Sequence, residues 1–163
     1  MTLELLRFLT EKKLVTLTDK GWRENTLTHL AARKDNLELL KYLVEKEPSL
    51  LTMCAEKPSG YNLHFETVMK IAATKGYMDI LLYIAEKDPS CLVYRSIWDK
   101  TFTALDYLLC YNHTVDMKTF KFLVEQKGIP LLKESETPDL AYYASQAGNL
   151  DILRYVEEPK VLQ

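Results

Sequence analysis

Residues 26–43 read TLTHLAARKDNLELLKYL, and this stretch decides the fold. It opens at Thr26, whose hydroxyl can cap a helix, and continues with small and apolar residues that include two adjacent alanines. From Leu37 onward, apolar residues recur three and four positions apart, which predicts an amphipathic helix. Asp35 lies between the two parts and tolerates the left-handed conformation of a tight turn. The stretch predicts a short helix, a turn and a longer helix.

The same pair of helices recurs along the chain. Leu37–Lys46 repeats the pattern of Leu3–Lys12, which begins 34 residues earlier, and later copies of the long helix begin at Asp79, Asp116 and Asp151. Short helices are predicted over Leu27–Lys34, Val68–Lys75, Ala104–Tyr111 and Leu140–Ala147. One pair of this size cannot bury both of its helices, so neighbouring pairs must stack on one another.

Cap and turn residues mark the ends of the short helices. The predicted N-caps are Thr26, Thr67, Thr103 and either Thr137 or Asp139. The chain must reverse after each short helix, at Asp35, Gly76, Asn112 and Gly148. Glycine adopts left-handed dihedral angles without strain, and Asn and Asp tolerate them better than other residues do.

The stretch from Thr26 resembles the ankyrin repeat, whose signature T-P-L-H-x-A-A leads into a turn and an amphipathic second helix. The copy from Thr67 keeps the cap, the alanine pair and the turn glycine, and the copy from Asp139 keeps Ala144 and Gly148. The copy from Thr103 departs further, since leucines replace its alanines. The motif proline is absent from all four copies, and the motif histidine occurs only at His29.

This resemblance implies an all-α solenoid of stacked helix-turn-helix pairs that forms a single domain over residues 1–163. A half-repeat would cover residues 1–18, with repeats at approximately 19–59, 60–95, 96–131 and 132–158. Spacings above about 33 residues imply long fingers between repeats, especially from Pro48 to Glu66. Tetratricopeptide and HEAT repeats fit less well, because the tetratricopeptide Trp, Gly and Tyr positions do not recur and the first helix is short.

Composition narrows the function classes. The formal net charge of −2 gives no long-range attraction for nucleic acid or an anionic membrane. No apolar run reaches the roughly 18 residues of a membrane span, and the first residues lack the features of a secretory signal. The odd count of three cysteines without metal-type pairing predicts free thiols in the cytoplasm, which would be a host cytosol if the protein is an effector.

The histidines and cysteines, which could act as catalytic groups or metal ligands, are not grouped in the sequence. In the ankyrin pattern His29 is structural and bonds backbone between repeats, whereas His64 and His113 fall in predicted loops. Cys91 is expected to be buried packing, and Cys54 and Cys110 to be half-exposed thiols. We find no phosphate-binding loop, nucleophile elbow or metal-ligand spacing. The sequence predicts no enzyme activity, metal, cofactor or small-molecule substrate.

Two sets of side chains are candidates for a surface that contacts a partner. Aromatic residues share one position of the long helix and are predicted to form a packing ridge; they are Tyr42, Tyr83, Phe122 and Tyr155. The resemblance implies instead that a partner binds the concave face, which the finger tips and the exposed side of the short helices form. The matching finger residues are Trp22, Arg23, Asn25, His64, Glu66, Lys100, Phe102 and Glu136. The matching residues at the ends of the short helices are Arg33, Lys34, Thr74, Lys75, Tyr111 and Gln146.

These positions favour a protein partner. Basic residues among them are predicted to form a stripe that would suit an acidic surface; they are Arg23, Arg33, Lys34, Lys75 and Lys100. The sequence therefore predicts a protein–protein interaction module. One alternative is the substrate-docking region of a larger enzyme or pathogen effector whose catalytic part lies outside these residues. Another is a solenoid that binds nucleic acid, which the net charge disfavours.

Overall fold

Short and long helices alternate along the chain, as the sequence predicts. The computed structural model describes residues 3–12, 14–21, 25–59, 62–95, 101–111, 115–129, 131 and 140–157. The helices are α1 (Leu3–Glu11), α2 (Leu27–Arg33), α3 (Leu37–Lys46), α4 (Val68–Lys75), α5 (Met78–Lys87), α6 (Ala104–Tyr111), α7 (Met117–Lys121), α8 (Leu140–Gln146) and α9 (Leu150–Glu157). A π-helical turn, Phe122–Gln126, continues α7. The bounds of α4 and α6 are those predicted, and α2 and α8 each end one residue earlier.

The turns between paired helices use the residues that the sequence singles out. Asp35, Gly76 and Gly148 have φ angles of 52°, 72° and 67°, in the left-handed region. Because these angles are unfavourable for most side chains, the residue types fix where each short helix ends. Asn112 lies outside the described residues.

Predicted N-caps are confirmed at three short helices. Thr67 Oγ1 accepts a hydrogen bond from Lys70 N at 3.1 Å. Thr103 and Asp106 cap each other, since Asp106 Oδ2 accepts from Thr103 N at 2.6 Å and Thr103 Oγ1 accepts from Asp106 N at 3.4 Å. Thr26 forms a similar capping box with His29. The fourth predicted cap, at Thr137 or Asp139, lies outside the described residues.

Two β-hairpins occupy the connections that lead to α4 and α6. β1 (Ala55–Ser59) pairs antiparallel with β2 (Asn62–Glu66), with Ala55 opposite Glu66. β3 (Val93–Arg95) pairs antiparallel with β4 (Thr101–Thr103). The long finger expected between Pro48 and Glu66 is thus confirmed, although the sequence analysis did not foresee paired strands within it. The helices still carry the core, so the predicted all-α repeat fold is confirmed.

A short motif that the sequence analysis missed ends two of the long helices. The chain reads EKEPSLL at 45–51 and EKDPSCL at 86–92. In the first copy Glu47 Oε1 accepts from Ser49 N at 3.3 Å, and in the second Asp88 Oδ1 accepts from Ser90 N at 3.0 Å. A 3₁₀ turn follows each carboxylate, at Pro48–Leu51 and Pro89–Leu92. Proline cannot continue the α-helix, so the motif redirects the chain toward the hairpin.

The chain divides into two compact units, residues 1–72 and 73–163, and the boundary falls within α4. In the first unit, Leu6, Leu40 and Leu43 are fully buried, and Thr28 Oγ1 donates to Leu50 O at 3.2 Å. The division into repeats with the bounds given above stays a prediction.

In the second unit, successive helix pairs stack as predicted, with α6 on α8 and α7 on α9. Leu108, Phe120 and Ile152 are fully buried there. Asn149 Nδ2 donates to Val115 O at 3.0 Å and so joins the last helix pair to the one before it. Burial of apolar side chains between neighbouring pairs supplies the core that one pair lacks.

The predicted aromatic ridge is confirmed in part. Tyr83 is buried, whereas Tyr42, Phe122 and Tyr155 are half-buried. A lysine ammonium lies over each of these four rings, at 5.3–6.0 Å from its centroid. The four lysines are Lys46, Lys87, Lys127 and Lys121. Such cation–π contacts cover the exposed parts of the ridge.

Candidate functional site

His29 lies in the first turn of α2 and is fully buried. Its Nε2 lies 2.9 Å from Glu66 O, and because a carbonyl oxygen only accepts, Nε2 must donate. Its Nδ1 then accepts from Thr26 N at 3.3 Å and lies 2.7 Å from the Thr26 hydroxyl. Burial lowers the pKa of His29 and favours the neutral ring. The predicted structural role of this histidine is confirmed, since both ring nitrogens hold backbone in place.

Glu66, at the end of β2, also forms an ion pair with Arg33 at the end of α2. Arg33 Nη2 donates to Glu66 Oε2, and the two side chains are 36% and 16% exposed. Glu66 thus binds α2 twice, through its carbonyl oxygen at His29 and its carboxylate at Arg33. The ion pair changes the predicted basic stripe, because the carboxylate offsets the charge of Arg33. Lys34, which follows in the chain, is exposed.

The remaining predicted contact residues differ in how accessible they are. Lys75 and Gln146 are exposed, Tyr111 is 61% exposed, and Asn25 and Thr74 are half-buried. His64 lies in β2 and Phe102 in β4; of these two residues the structure describes only the backbone. Other predicted residues lie outside the described ranges; they are Trp22, Arg23, Lys100 and Glu136, together with His113.

Two exposed apolar side chains on short helices were missed by the sequence analysis. Leu30 of α2 is 46% exposed, and Tyr142 of α8 is 57% exposed. Each lies four residues before a predicted contact residue, Lys34 and Gln146 respectively, and so shares its helix face. Helical spacing from the predicted residues could have found both.

The pKa of each of the three cysteine thiols is raised above its ordinary value. Burial raises the pKa of Cys54 and, together with Asp106, that of Cys110. Burial and the Asp88 carboxylate raise the pKa of Cys91 to about 12, and its thiol donates to Asp88 Oδ2 at 3.5 Å. All three are half-buried, so the prediction that Cys91 is buried packing is wrong. Cys91 lies in the 3₁₀ turn Pro89–Leu92, beside the carboxylate of Asp88 that caps this turn.

The described residues place no three His, Cys, Asp or Glu side chains where they could hold a metal ion. Within the same ranges, no helix has both the length and the apolar character to cross a membrane.

Comparison with known families gives a match for residues 23–52 to the model described as "Ankyrin repeat". Those residues are similar to an ankyrin repeat. A search of curated proteins finds no match to the chain.

The matched segment comprises α2, its turn at Asp35, α3 and the 3₁₀ turn that follows. The pairs α4–α5 and α8–α9 have the same order of short helix, left-handed turn and long helix, which extends the pattern to both units. Ankyrin repeats are generally protein–protein interaction modules and are typically not catalytic. In the matched segment the motif histidine has its structural role, and Leu30 of α2 and Lys34, which directly follows α2, are exposed.

Proposed function

We propose that this chain is a non-catalytic, cytoplasmic interaction module that binds a protein partner through the exposed side of its short helices and the adjoining fingers. The concave face of ankyrin arrays is formed by these two features. The proposed contact residues in unit 1 are Trp22, Arg23, Asn25, Leu30, Arg33, Lys34, His64 and Glu66. Those in unit 2 are Thr74, Lys75, Lys100, Phe102, Tyr111, Glu136, Tyr142 and Gln146.

One observation carries the proposal: three short helices bury one face and leave a large apolar side chain exposed on another. Ala31, Leu108 and Ala144 are buried at the packed faces of α2, α6 and α8. Leu30, Tyr111 and Tyr142 are exposed on the same helices. Large apolar and aromatic side chains held on rigid elements are the groups that contribute most to binding energy in interfaces.

The chemistry of the described residues supports a binding role rather than catalysis. The fully buried His29 uses both ring nitrogens to hold α2 and β2 together. The raised pKa values of the three cysteine thiols lower the fraction of thiolate, the form that nucleophilic attack requires. Exposed charge at the end of α2 comes from Lys34, which favours a partner with an acidic surface.

The test uses unit 1, where the described contact residues are close in sequence. A partner retained from cytosol by the immobilised chain would be purified, and its affinity for wild type and for the Leu30→Ser/Lys34→Glu variant measured by calorimetry. We expect the variant to bind roughly tenfold more weakly, because it removes apolar area and reverses a charge facing an acidic partner.

The matched control is Lys41→Glu, which reverses an exposed charge on the long helix α3. We expect its affinity to stay within about twofold of wild type, since Lys41 lies on a long helix and is not among the proposed contact residues. Thermal melts must show that both variants are folded. Equal affinity of wild type and the Leu30→Ser/Lys34→Glu variant would contradict the proposed site.

A further inference from the structure

Helix α1 leaves one apolar side exposed to solvent. Leu5 and Phe8 are 49% and 52% exposed, whereas Leu6 is fully buried. Thr10 Oγ1 lies 3.4 Å from the Tyr42 hydroxyl of α3, so the packed side of α1 is the one that contains Leu6 and Thr10. Residues three apart share a helix face, so Leu5 and Phe8 belong to one apolar patch.

The equivalent side of α3 is covered. Because α3 repeats the sequence pattern of α1, Leu39 is the counterpart of Leu5 and Tyr42 is the counterpart of Phe8. Leu39 is only 3% exposed, and the Arg7 guanidinium of α1 lies 5.3 Å from the centroid of the Tyr42 ring. A long helix of this sequence type therefore has a side that suits another long helix, and in α1 the described residues leave about half of that side exposed.

Two opposite charges flank the exposed ring of Phe8. Glu4 lies four positions before it and Lys12 four positions after it, and both are exposed. Lys12 N donates to Phe8 O at 3.0 Å, as in an α-helix, and Lys12 Nζ lies 5.9 Å from the centroid of the Phe8 ring. Positions four apart share a helix face, so a negative, an apolar and a positive side chain follow one another along it. We name Glu4, Leu5, Phe8 and Lys12 the α1 face.

The α1 face is complementary to a second copy of itself that runs antiparallel. Around a two-fold axis at Phe8, residues equally far before and after Phe8 lie opposite each other, because the rise per residue is the same in both helices. Glu4 of each copy then meets Lys12 of the other copy. A parallel pairing would instead place like charges opposite each other, and these repel. A two-fold symmetric contact of this kind closes with two subunits.

We propose that α1 is a homodimer contact in which two copies of the chain pair antiparallel through the α1 face. The two Phe8 rings lie at the centre and supply apolar area, and two Glu4–Lys12 ion pairs fix the orientation. One short helix offers much less area than the roughly 1,200–2,000 Å² of a stable interface, so the dimer is weak, with a Kd of about 10–500 μM. The α1 face contains none of the residues proposed to bind a protein partner, so this inference does not depend on the proposed function.

The experiment measures self-association of the whole chain by sedimentation equilibrium between about 5 and 1000 μM, a range that brackets the expected Kd. Glu4→Lys and Lys12→Glu each turn both attractive pairs into repulsive ones. We expect each variant alone to dimerise at least about fivefold more weakly than wild type, since an exposed pair changes affinity roughly 1.5- to 5-fold. An equimolar mixture of the two variants should associate about as strongly as wild type, because opposite charges meet again.

Three further variants separate the α1 face from general effects. Glu4→Lys/Lys12→Glu exchanges the two charges within one chain and should dimerise as wild type does. Phe8→Ser should weaken the dimer roughly tenfold or more, because it removes both central rings. Lys34→Glu reverses an exposed lysine outside α1 and should leave self-association unchanged. Thermal melts check that every variant is folded.

Three results would overturn the proposed dimer contact. The first is a wild-type chain that stays monomeric over the whole concentration range. The second is wild-type dimerisation by both Glu4→Lys and Lys12→Glu, which would place the contact elsewhere. The third is a mixture of these two variants that associates no more strongly than either variant alone. None of these results bears on partner binding by the Leu30→Ser/Lys34→Glu variant, so the two proposals fail separately.

Discussion

At the scale of single residues, His29 is the histidine of the repeat signature, and its buried ring holds backbone in place. Because burial lowers its pKa below the ordinary value of 6.5, the unfolded chain takes up a proton more readily than the folded chain does. The stability that His29 contributes is therefore complete above about pH 6.5 and is lost as the pH falls toward its folded pKa.

We expect the melting temperature of wild type to fall between pH 7.5 and pH 5.5, and that of His29→Gln to fall less. A glutamine amide can still donate to Glu66 O but does not titrate. Circular dichroism melts across this range provide the measurement. The control is Leu30→Ser, an exposed substitution in the same helix that removes no titratable group and should keep the pH dependence of wild type. Parallel curves for wild type and His29→Gln would show that another group sets the pH dependence.

Residue-level chemistry could be predicted where it depends on local sequence. The role of His29 followed from the repeat signature, and the turns at Asp35, Gly76 and Gly148 followed from residue type alone. The Arg33–Glu66 ion pair could not be predicted, because its partners are 33 positions apart and meet only through tertiary packing. The exposure of Tyr142 likewise depends on how α8 packs on α6.

At the scale of elements, the short helices agree with their predicted bounds to within one residue, since cap and turn residues act on adjacent backbone. The hairpins were not predicted as strands. The segment 55–66 contains Pro58, several charged residues and no alternating apolar pattern, so pairing there is decided by how the finger closes. The π-helical turn after α7 has no local signal either.

That π-helical turn accommodates one extra residue between an aromatic ring and its lysine. Lys46 follows Tyr42 by four positions and Lys87 follows Tyr83 by four, whereas Lys127 follows Phe122 by five. A π-helical turn contains one residue more than an α-helical turn, so the ring and the ammonium still meet.

We expect deletion of Gln126, an exposed residue of the π-helical turn, to restore an α-helical turn and change the free energy of unfolding by less than about 1 kcal/mol. Deletion of Glu45, an exposed residue of the regular helix α3, should cost roughly 2 kcal/mol or more, because it rotates the following residues out of register. Urea unfolding compares the two deletions. Equal losses would contradict the idea that residue 126 is the extra one.

At the scale of the whole molecule, stability is built from contacts between neighbours in the sequence of repeats. In unit 2, the Tyr155 hydroxyl donates to Glu125 Oε1 at 2.6 Å and its ring meets Phe120 edge to face. In unit 1, Thr10 Oγ1 and the Tyr42 hydroxyl lie 3.4 Å apart and join α1 to α3. A repeat protein of this kind gains its free energy from each pair and its interfaces, so damage to one core stays local.

Substitutions in the two cores test this locality. Leu40 in unit 1 and Ile152 in unit 2 are both fully buried, so replacing either by alanine should cost about 2–5 kcal/mol. Hydrogen exchange read by mass spectrometry should show faster exchange mainly over residues 3–52 for Leu40→Ala and mainly over residues 104–157 for Ile152→Ala. Because each variant is the control for the other, faster exchange over both ranges in both variants would mean that the chain unfolds as one cooperative body. The reciprocal pattern is expected because each unit contains its own buried core.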